Sequence, residues 1–331
     1  PTAVFLYRCT RPRPVAIVCQ KAVEKYGKDF GRNPIGSGPF VFESMSREQI
    51  VLTANKEYHE GSPRIDRVIY KLIPETDTLV LTLLKGEIHI FFSVPRDKAI
   101  LDRFKHGGIK VEKMNRGAYH QLFLNPQFKP FADVRVRRAI AHAIDRDTII
   151  EHVKSKMGVK LDSLVPKGYF GHIEEGLRRY EYYPKRAKEL LAEAGYANGF
   201  DVTLDTFQSP TYLPVAIAIQ GQLEKLGIKV KLEVTDQPTW SKKLTSAASQ
   251  MSLFFPTRAP DANFPLTDFF SSTGFSPGVN MMRYNKFDNE IAAARKELDP
   301  SKRLKIYHEI QKGLMEDLPA IPLFMLDHPC A

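Results

Sequence analysis

The sequence predicts a mixed α/β protein, and three observations carry that expectation. Residues 65–73, 200–207 and 228–234 hold β-branched and apolar side chains in alternation, the pattern of strands that bury one face. Val136, Ile140 and Ile144 recur every four residues, as one buried stripe of a helix does. Residues 200–234 follow the order strand, helix, strand, which favours a right-handed crossover between parallel strands. At 331 residues the chain can bury a sizeable core, and its length points to two domains or one large two-lobed unit.

Each element has its own signal. A helix is expected near residues 21–26. Gly31, Pro34, Gly36, Gly38 and Pro39 then form a rigid connector that delivers the chain into a strand at Val41 and Phe42. Strands follow at 50–52 and 65–73. Residues 76–86 suit a short helix with Leu79, Leu83 and Leu84 on one face and Gly86 as its stop, and 87–90 read as another strand. Residues 119–125 alternate as a strand, 126–130 break it, and Asp133 can cap a helix running to about residue 153, with Arg137 and Arg138 turned outward. Pro184 suits the first turn of the next helix and Gly195 its end, with Ala187, Leu190, Leu191 and Ala194 as the buried side. A strand at 200–207, a helix at 213–226 stopped by Gly227 and a strand at 228–234 complete the crossover unit. Leu253 and its neighbours form a short apolar strand that enters a proline-rich loop. Residues 301–314 make the last helix, with Leu304, Ile310 and Leu314 inward.

Composition narrows the function. Apolar residues make up 43% and charged residues 26%, ordinary for a soluble globular chain, and no apolar run approaches the ~18 to 20 residues of a membrane span. A formal charge of +10 and a pI near 9.3 raise the question of nucleic acid. The basic residues are interspersed with acidic ones instead: Lys185, Arg186 and Lys188 with Glu189 and Glu193, and Lys225, Lys229 and Lys231 with Glu224 and Glu233. That is a solvated surface, so no nucleic-acid partner is expected; contact with a membrane surface or an acidic ligand stays open. The three cysteines leave a Cys9–Cys19 disulfide and free thiols as equal alternatives, with Cys330 odd. The nine histidines show no metal-site spacing, so neither metal nor cofactor is expected. A hydrolase lacks its parts: there is no Gly-x-Ser-x-Gly elbow and no cysteine with a persuasive histidine, and Asp145 and Asp147, two apart on a helix, point away from each other.

The order of motifs adds what composition cannot. Asn33-Pro34-Ile35-Gly36-Ser37-Gly38-Pro39-Phe40 comes first, then a turn at 58–61, then Pro63-Arg64-Ile65-Asp66-Arg67-Val68, then Leu84-Lys85-Gly86-Glu87-Ile88-His89-Ile90. Residues 125–146 continue the series, with Ala187 to Gly195 and Leu318-Pro319-Ala320-Ile321-Pro322-Leu323. Together they resemble the extracellular solute-binding proteins of peptide and nickel ABC importers, family 5, over nearly the whole chain. The resemblance implies a periplasmic binding protein-like II fold: two lobes, mixed sheets flanked by helices, and a ligand cleft between them. It divides the chain into a partial lobe I (1–117), a lobe II (118–322) and the start of a return to lobe I (323–331). It also implies a chain truncated at both ends, because family members carry a signal peptide, the first strands of lobe I and a small domain before the matched segment.

The implied function is a non-enzymatic receptor, periplasmic and monomeric. It captures a peptide or peptide-like small solute and delivers it to the ABC permease and ATPase subunits, touching the membrane only peripherally. An opine, sugar or metal chelate is the alternative solute, and a small-molecule hydrolase the alternative activity. Read as a lone aromatic, Trp240 packs in a core; the family places a Trp at this step beside the cleft, which makes Trp240 a pocket wall. The loop carrying Phe255, Thr257 and Arg258 lines the pocket in the family. Peptide-binding members hold an Asp shortly before the proline matching Pro260, whereas Pro256, Thr257 and Arg258 supply no carboxylate here. Arg258 is then either a bidentate partner for an anionic group or an exposed loop arginine. Asn125 either meets a peptide backbone or forms an Asx turn before Pro126. Tyr119 and Tyr212 are the weaker candidates.

Overall fold

The computed structural model describes residues 18–331 except 93, 96, 155 and 258, and leaves undescribed the side chains of 114–116, 328 and 329. The chain divides into two compact units. The smaller takes in residues 18–92, 102–110 and 331. Its centre is a three-stranded antiparallel sheet in the order β1 (Phe40–Met45), β2 (Gln49–Ala54), β3 (Arg67–Lys71). Helices α1 (Gln20–Tyr26) and α2 (Thr76–Leu84) stand at the expected places. Val80 and Leu83 are the buried residues of α2, so Val80 takes the inward position expected of Leu84. No strand forms at 87–90: Ile90 is 55% exposed and among the described residues no strand pairs with the segment, whose Glu87 carbonyl is taken by the Lys71 ammonium at 3.2 Å. Alternation without a neighbouring strand does not make a sheet.

The larger unit, residues 94–101 and 111–330, is built on a six-stranded sheet. Its order is β5 (Gly158–Lys160), β9 (Ala320–Cys330), β4 (Glu112–Leu124), β8 (Met251–Phe254), β6 (Asp201–Phe207), β7 (Lys229–Thr235). Strands β8, β6 and β7 are mutually parallel, and β4, β9 and β5 pair antiparallel. Helix α3 (Lys98–His106), whose residues 102–106 belong to the smaller unit, precedes β4, and α4 (Lys129–Ala132) occupies part of the expected 126–130 loop, with Pro130 in its first turn where no N–H is needed. Then come α5 (Val134–Ala143), α6 (Pro184–Glu193), α7 (Leu213–Glu224), α8 (Gln237–Thr245), α9 (Asn263–Phe270), α10 (Asp288–Lys296) and α11 (Pro300–Asp317). The positions 117/118 and 322/323, where the resemblance places lobe boundaries, fall inside β4 and β9.

The helix expected from Asp133 to residue 153 is two pieces. Asp133 caps α5 as anticipated, its carboxylate accepting the Arg135 N–H at 2.8 Å. Ile144 then turns extended, and Asp145 caps a new turn through the Thr148 N–H at 3.0 Å, leading into a π-helical turn at Ile149–Val153. Arg137 does not face outward: it is 8% exposed and holds carbonyls of Phe131, Ala132, Asp317 and Leu318. Arg138 lies at the edge of the same contact, pairing with Glu316 at 3.0 Å. In α6 Ala187, Leu190 and Leu191 are buried while Ala194 is half-buried at the cap. In α11 Tyr307, Ile310 and Leu314 are fully buried and Leu304 is half-buried. Among the described residues no helix is long and apolar enough to cross a membrane.

Candidate functional site

The parallel strands define the site. Helix α7 carries the chain from β6 to β7, and α8 carries it back past β6 to β8, so the two connections leave on opposite sides of β6. Right-handed crossovers then put α7 and α8 on opposite faces of the sheet. Open α/β sheets leave a crevice where adjacent connections diverge, at the carboxyl ends of the strands. Here that point is the end of β6 and β8, and antiparallel β4 delivers Tyr119 and His120 to the same end.

Aromatic side chains gather there. Phe207, the last residue of β6, has its ring centroid 4.4 Å from Tyr212 and 5.0 Å from Trp240. Tyr212 sits at the N-cap of α7, and its hydroxyl accepts the Phe255 N–H at 3.1 Å. The Phe255 ring stacks on His120 at 4.4 Å. The Tyr119 N–H donates to the Pro256 carbonyl at 3.3 Å, and an isolated bridge joins Ala118 to Thr257. Tyr169 meets Tyr119 edge-on at 6.2 Å and donates its hydroxyl to the Gly117 carbonyl at 2.9 Å. Tyr119 and His120 are fully buried, Trp240 and Tyr212 nearly so, Phe207 and Phe255 half-buried, and Thr257 exposed. The accessible surface is therefore Phe207, Phe255 and Thr257, backed by the other rings.

Trp240 is on helix α8, one step further from the strand than its sequence neighbours indicate. Its indole Nε1 donates to the Ser252 hydroxyl at 3.1 Å, and that hydroxyl donates to the Asp205 carbonyl at 3.3 Å. Trp240 thus stands behind Phe207 rather than at the open surface. One helical turn on, the Lys243 ammonium lies 2.9 Å from Asp205 and 2.5 Å from Glu233. Burial pulls Lys243 down, but the hydrogen bonds to Glu233 and Asp205 more than reverse it; Glu233 is held below its ordinary value, chiefly by the same bond.

Asn125 does not join the group. It lies six residues along β4 from Tyr119, on the order of 20 Å away, and both its amide hydrogens are taken by the Ala247 and Ser249 carbonyls at 3.1 and 3.0 Å. Its Oδ1 accepts the Gln127 N–H at 3.0 Å, the Asx turn before Pro126, so its polar groups are committed to the fold. Arg258 lies outside the described residues, as does Cys9 of the Cys9–Cys19 pair. Sequence reading missed His120, Phe207, Tyr169 and Asp261. For Phe207 the signal was its position closing an alternating strand; His120, Tyr169 and Asp261 become neighbours of the group only once the sheet order is known.

Asp261 closes the loop after β8. It is fully buried, accepts the Asn263 N–H at 2.8 Å and the Tyr307 hydroxyl at 3.4 Å, and pairs with Arg303 at 3.3 Å. Burial pushes its carboxyl above the ordinary range, with the Asn263 N–H and Arg303 opposing. Burial likewise raises the Tyr307 hydroxyl. Among the described residues no group of three or more His, Cys, Asp or Glu is arranged to hold a metal ion. A polar groove of about 390 Å³ opens at the opposite, amino-terminal ends of β6 and β7, between Asp201, Thr203, Glu224, Lys229, Lys231 and Gln250. It mixes both charges and has no aromatic wall, so the strand-end group is the better candidate for a small organic solute.

Known proteins share this architecture. The chain is similar to the glutathione-binding protein GsiB of Salmonella paratyphi A, 26% identical over 335 residues that cover 98% of this chain and 65% of that protein. It thus spans about 65% of the length of the curated relatives it matches. Its structure is similar to that of HbpA2 from Haemophilus parasuis, with a TM-score of 0.88 at 25% identity, covering 100% of this chain and 67% of that one. It is also similar to the ABC transporter-associated periplasmic binding protein DppA from Helicobacter pylori, solved with the peptide STSA: TM-score 0.79, 27% identity, 100% and 66% covered. These likenesses agree with the mixed α/β architecture of helix-flanked sheets, the periplasmic binding protein-like fold expected above. Residues 1–277 match the family described as bacterial extracellular solute-binding proteins, family 5 Middle, and the chain therefore belongs to that family.

Proposed function

We propose that this chain is the solute-binding component of an ABC importer. It captures a peptide or peptide-like small solute in the periplasm and presents it, chemically unaltered, to the permease and its ATPase. It works as a monomer that meets the membrane complex only on docking. The observation that carries this reading is the aromatic group at the carboxyl ends of β6 and β8 in a chain of this family. Half-buried Phe207 and Phe255 offer apolar faces to planar amides, a surface that accepts a peptide while tolerating varied side chains. The solute class is supported by the relatives: GsiB is named for glutathione, and DppA was solved with a peptide.

A thermal-shift screen of the full chain tests this. The panel holds glutathione, dipeptides to tetrapeptides, opines, sugars and nickel chelates. A solute that binds only the native state stabilises it by mass action, about 2.7 kcal/mol at a hundredfold excess over Kd. Peptide-like solutes are expected to raise Tm. A rise with opines, sugars or chelates alone overturns the solute class, and no rise with any member overturns the receptor reading.

A further inference from the structure

We infer that the buried Asp261–Arg303 ion pair fixes the loop at 255–262 and thereby sets the geometry of its exposed residues. Asp261 and Arg303 are positioning residues. The inference rests on the proposed function only for what that loop faces.

The loop has little apolar substance of its own. Thr257 and Pro260 are exposed, and among the described residues between Phe255 and Asp261 only Pro256 and Ala259 tuck inward. Its path depends on tethers at its two ends. At the first end the Tyr212 hydroxyl holds the Phe255 N–H and the Tyr119 N–H holds the Pro256 carbonyl. At the second end Phe170 pairs with the chain on both sides of Asp261: its N–H donates to the Pro260 carbonyl at 2.9 Å, and its carbonyl accepts the Ala262 N–H at 2.8 Å. Arg303, from the first turn of α11, lies over the Phe170 ring at 4.4 Å from its centroid while its guanidinium pairs with Asp261 at 3.3 Å. One side chain from a long helix therefore grips both partners of the bridge.

The packing leaves no slack there. Gly171 has φ +90, and a Cβ on it would come within 2.6 Å of the Tyr307 ring and 2.8 Å of the Ala262 methyl. The Gln311 amide donates to the Gly171 carbonyl at 2.6 Å, so α11 holds the Phe170 segment from a second point. The pair itself is 0% and 9% exposed on its two side chains. Removing one partner leaves a charge stranded in that environment, whereas removing both removes the penalty along with the direction the pair imposes.

The test uses the full chain and its Arg303→Met, Asp261→Asn and Asp261→Asn/Arg303→Met variants, read by amide hydrogen exchange and by affinity for the solute found in the thermal screen. In R303M the Phe170 and Ala262 amides are expected to exchange about tenfold or more faster while Leu204 and Leu253 in the sheet are unchanged. The double variant is expected to recover the Tm lost in R303M without recovering affinity, which stays about tenfold or more weakened. A merely structural pair would return both together, and that result overturns the inference. Unchanged exchange at Phe170 and Ala262 in folded R303M overturns it too. Should R303M fail to fold, D261N carries the same exchange test with the same two outcomes. If the wild-type chain binds no member of the panel, the proposed function falls, and the exchange measurement alone still decides whether the pair holds the loop.

Discussion

Arg137 shows how far a side chain's neighbours can outweigh its spacing. Helical periodicity sets it beside Val136 on a turn toward solvent, but the carboxyl end of α11 arrives there with carbonyls that need donors, and a guanidinium serves several at once. Burial lowers its pKa from the ordinary arginine value, with Asp317 opposing. Arg137→Met should cost roughly 2–4 kcal/mol by stranding those carbonyls, whereas Arg138→Met should cost about 1 kcal/mol or less, as a surface pair does. Urea denaturation of both variants checks the difference; equal losses would contradict the assignment. Trp240 offers a second readout, because it is the only tryptophan and shares α8 with Lys243. Glu233 has a lowered pKa, so its stabilisation is complete above the ordinary glutamate value and lost as pH falls through the lowered one. Lys243 has a raised pKa, so its share is complete below the ordinary lysine value and lost as pH climbs through the raised one. Trp240 emission should therefore stay constant across neutral pH and move to the red only at the acid and alkaline extremes. A transition in the neutral range would show that this charge group does not hold α8.

Strands and helices were legible wherever periodicity and punctuation agreed. The unit β6–α7–β7 follows the expected order, with Gly227 at φ +82 ending the turn after α7 as its sequence position indicates. Gly199 was not singled out, yet it is the more constrained: at φ +74 a Cβ would fall 2.0 Å from the Gly227 carbonyl, because the entry to β6 crosses the entry to β7 there. Gly199→Ala should lose more than about 2 kcal/mol through clash and backbone strain together. Gly195→Ala, with φ +85 but open space around it, should lose only about 1 kcal/mol from the backbone alone. Thermal or urea unfolding of the two variants checks the ranking, and parity would mean the crossing relaxes freely. The break after Ala143 was hidden because Ile140 and Ile144 keep helical spacing across it, while Asp145 acts as a fresh cap. The strand expected at 87–90 failed for the opposite reason: local pattern was present and, among the described residues, a pairing strand was not.

At the scale of the whole chain, surface charge is dispersed in local pairs. Arg186 meets Glu189 and Glu193, Lys167 meets Glu174 and Lys312 meets Glu309, so the net charge of +10 is spread and interrupted by acidic partners. The candidate site was legible in part. Tyr212 and the loop at 255–257 sit at element ends, which boundaries foretell, whereas Tyr119 lies within β4 and Trp240 within α8 and they join the group through the packing of those elements. Asn125 sits at the far end of the same strand, a separation that family position could not reveal. His120 and Phe255 meet because β4 lies beside β8, and strand order is a property of the folded sheet that no single segment encodes. Isothermal titration calorimetry of the full chain with peptide-like solutes, followed by mass spectrometry of the released solute, tests the proposed capture without chemistry. Saturable one-to-one heat with the solute recovered at unchanged mass is the predicted result. No binding heat from any peptide-like solute, or release of a cleaved or modified product, would contradict it.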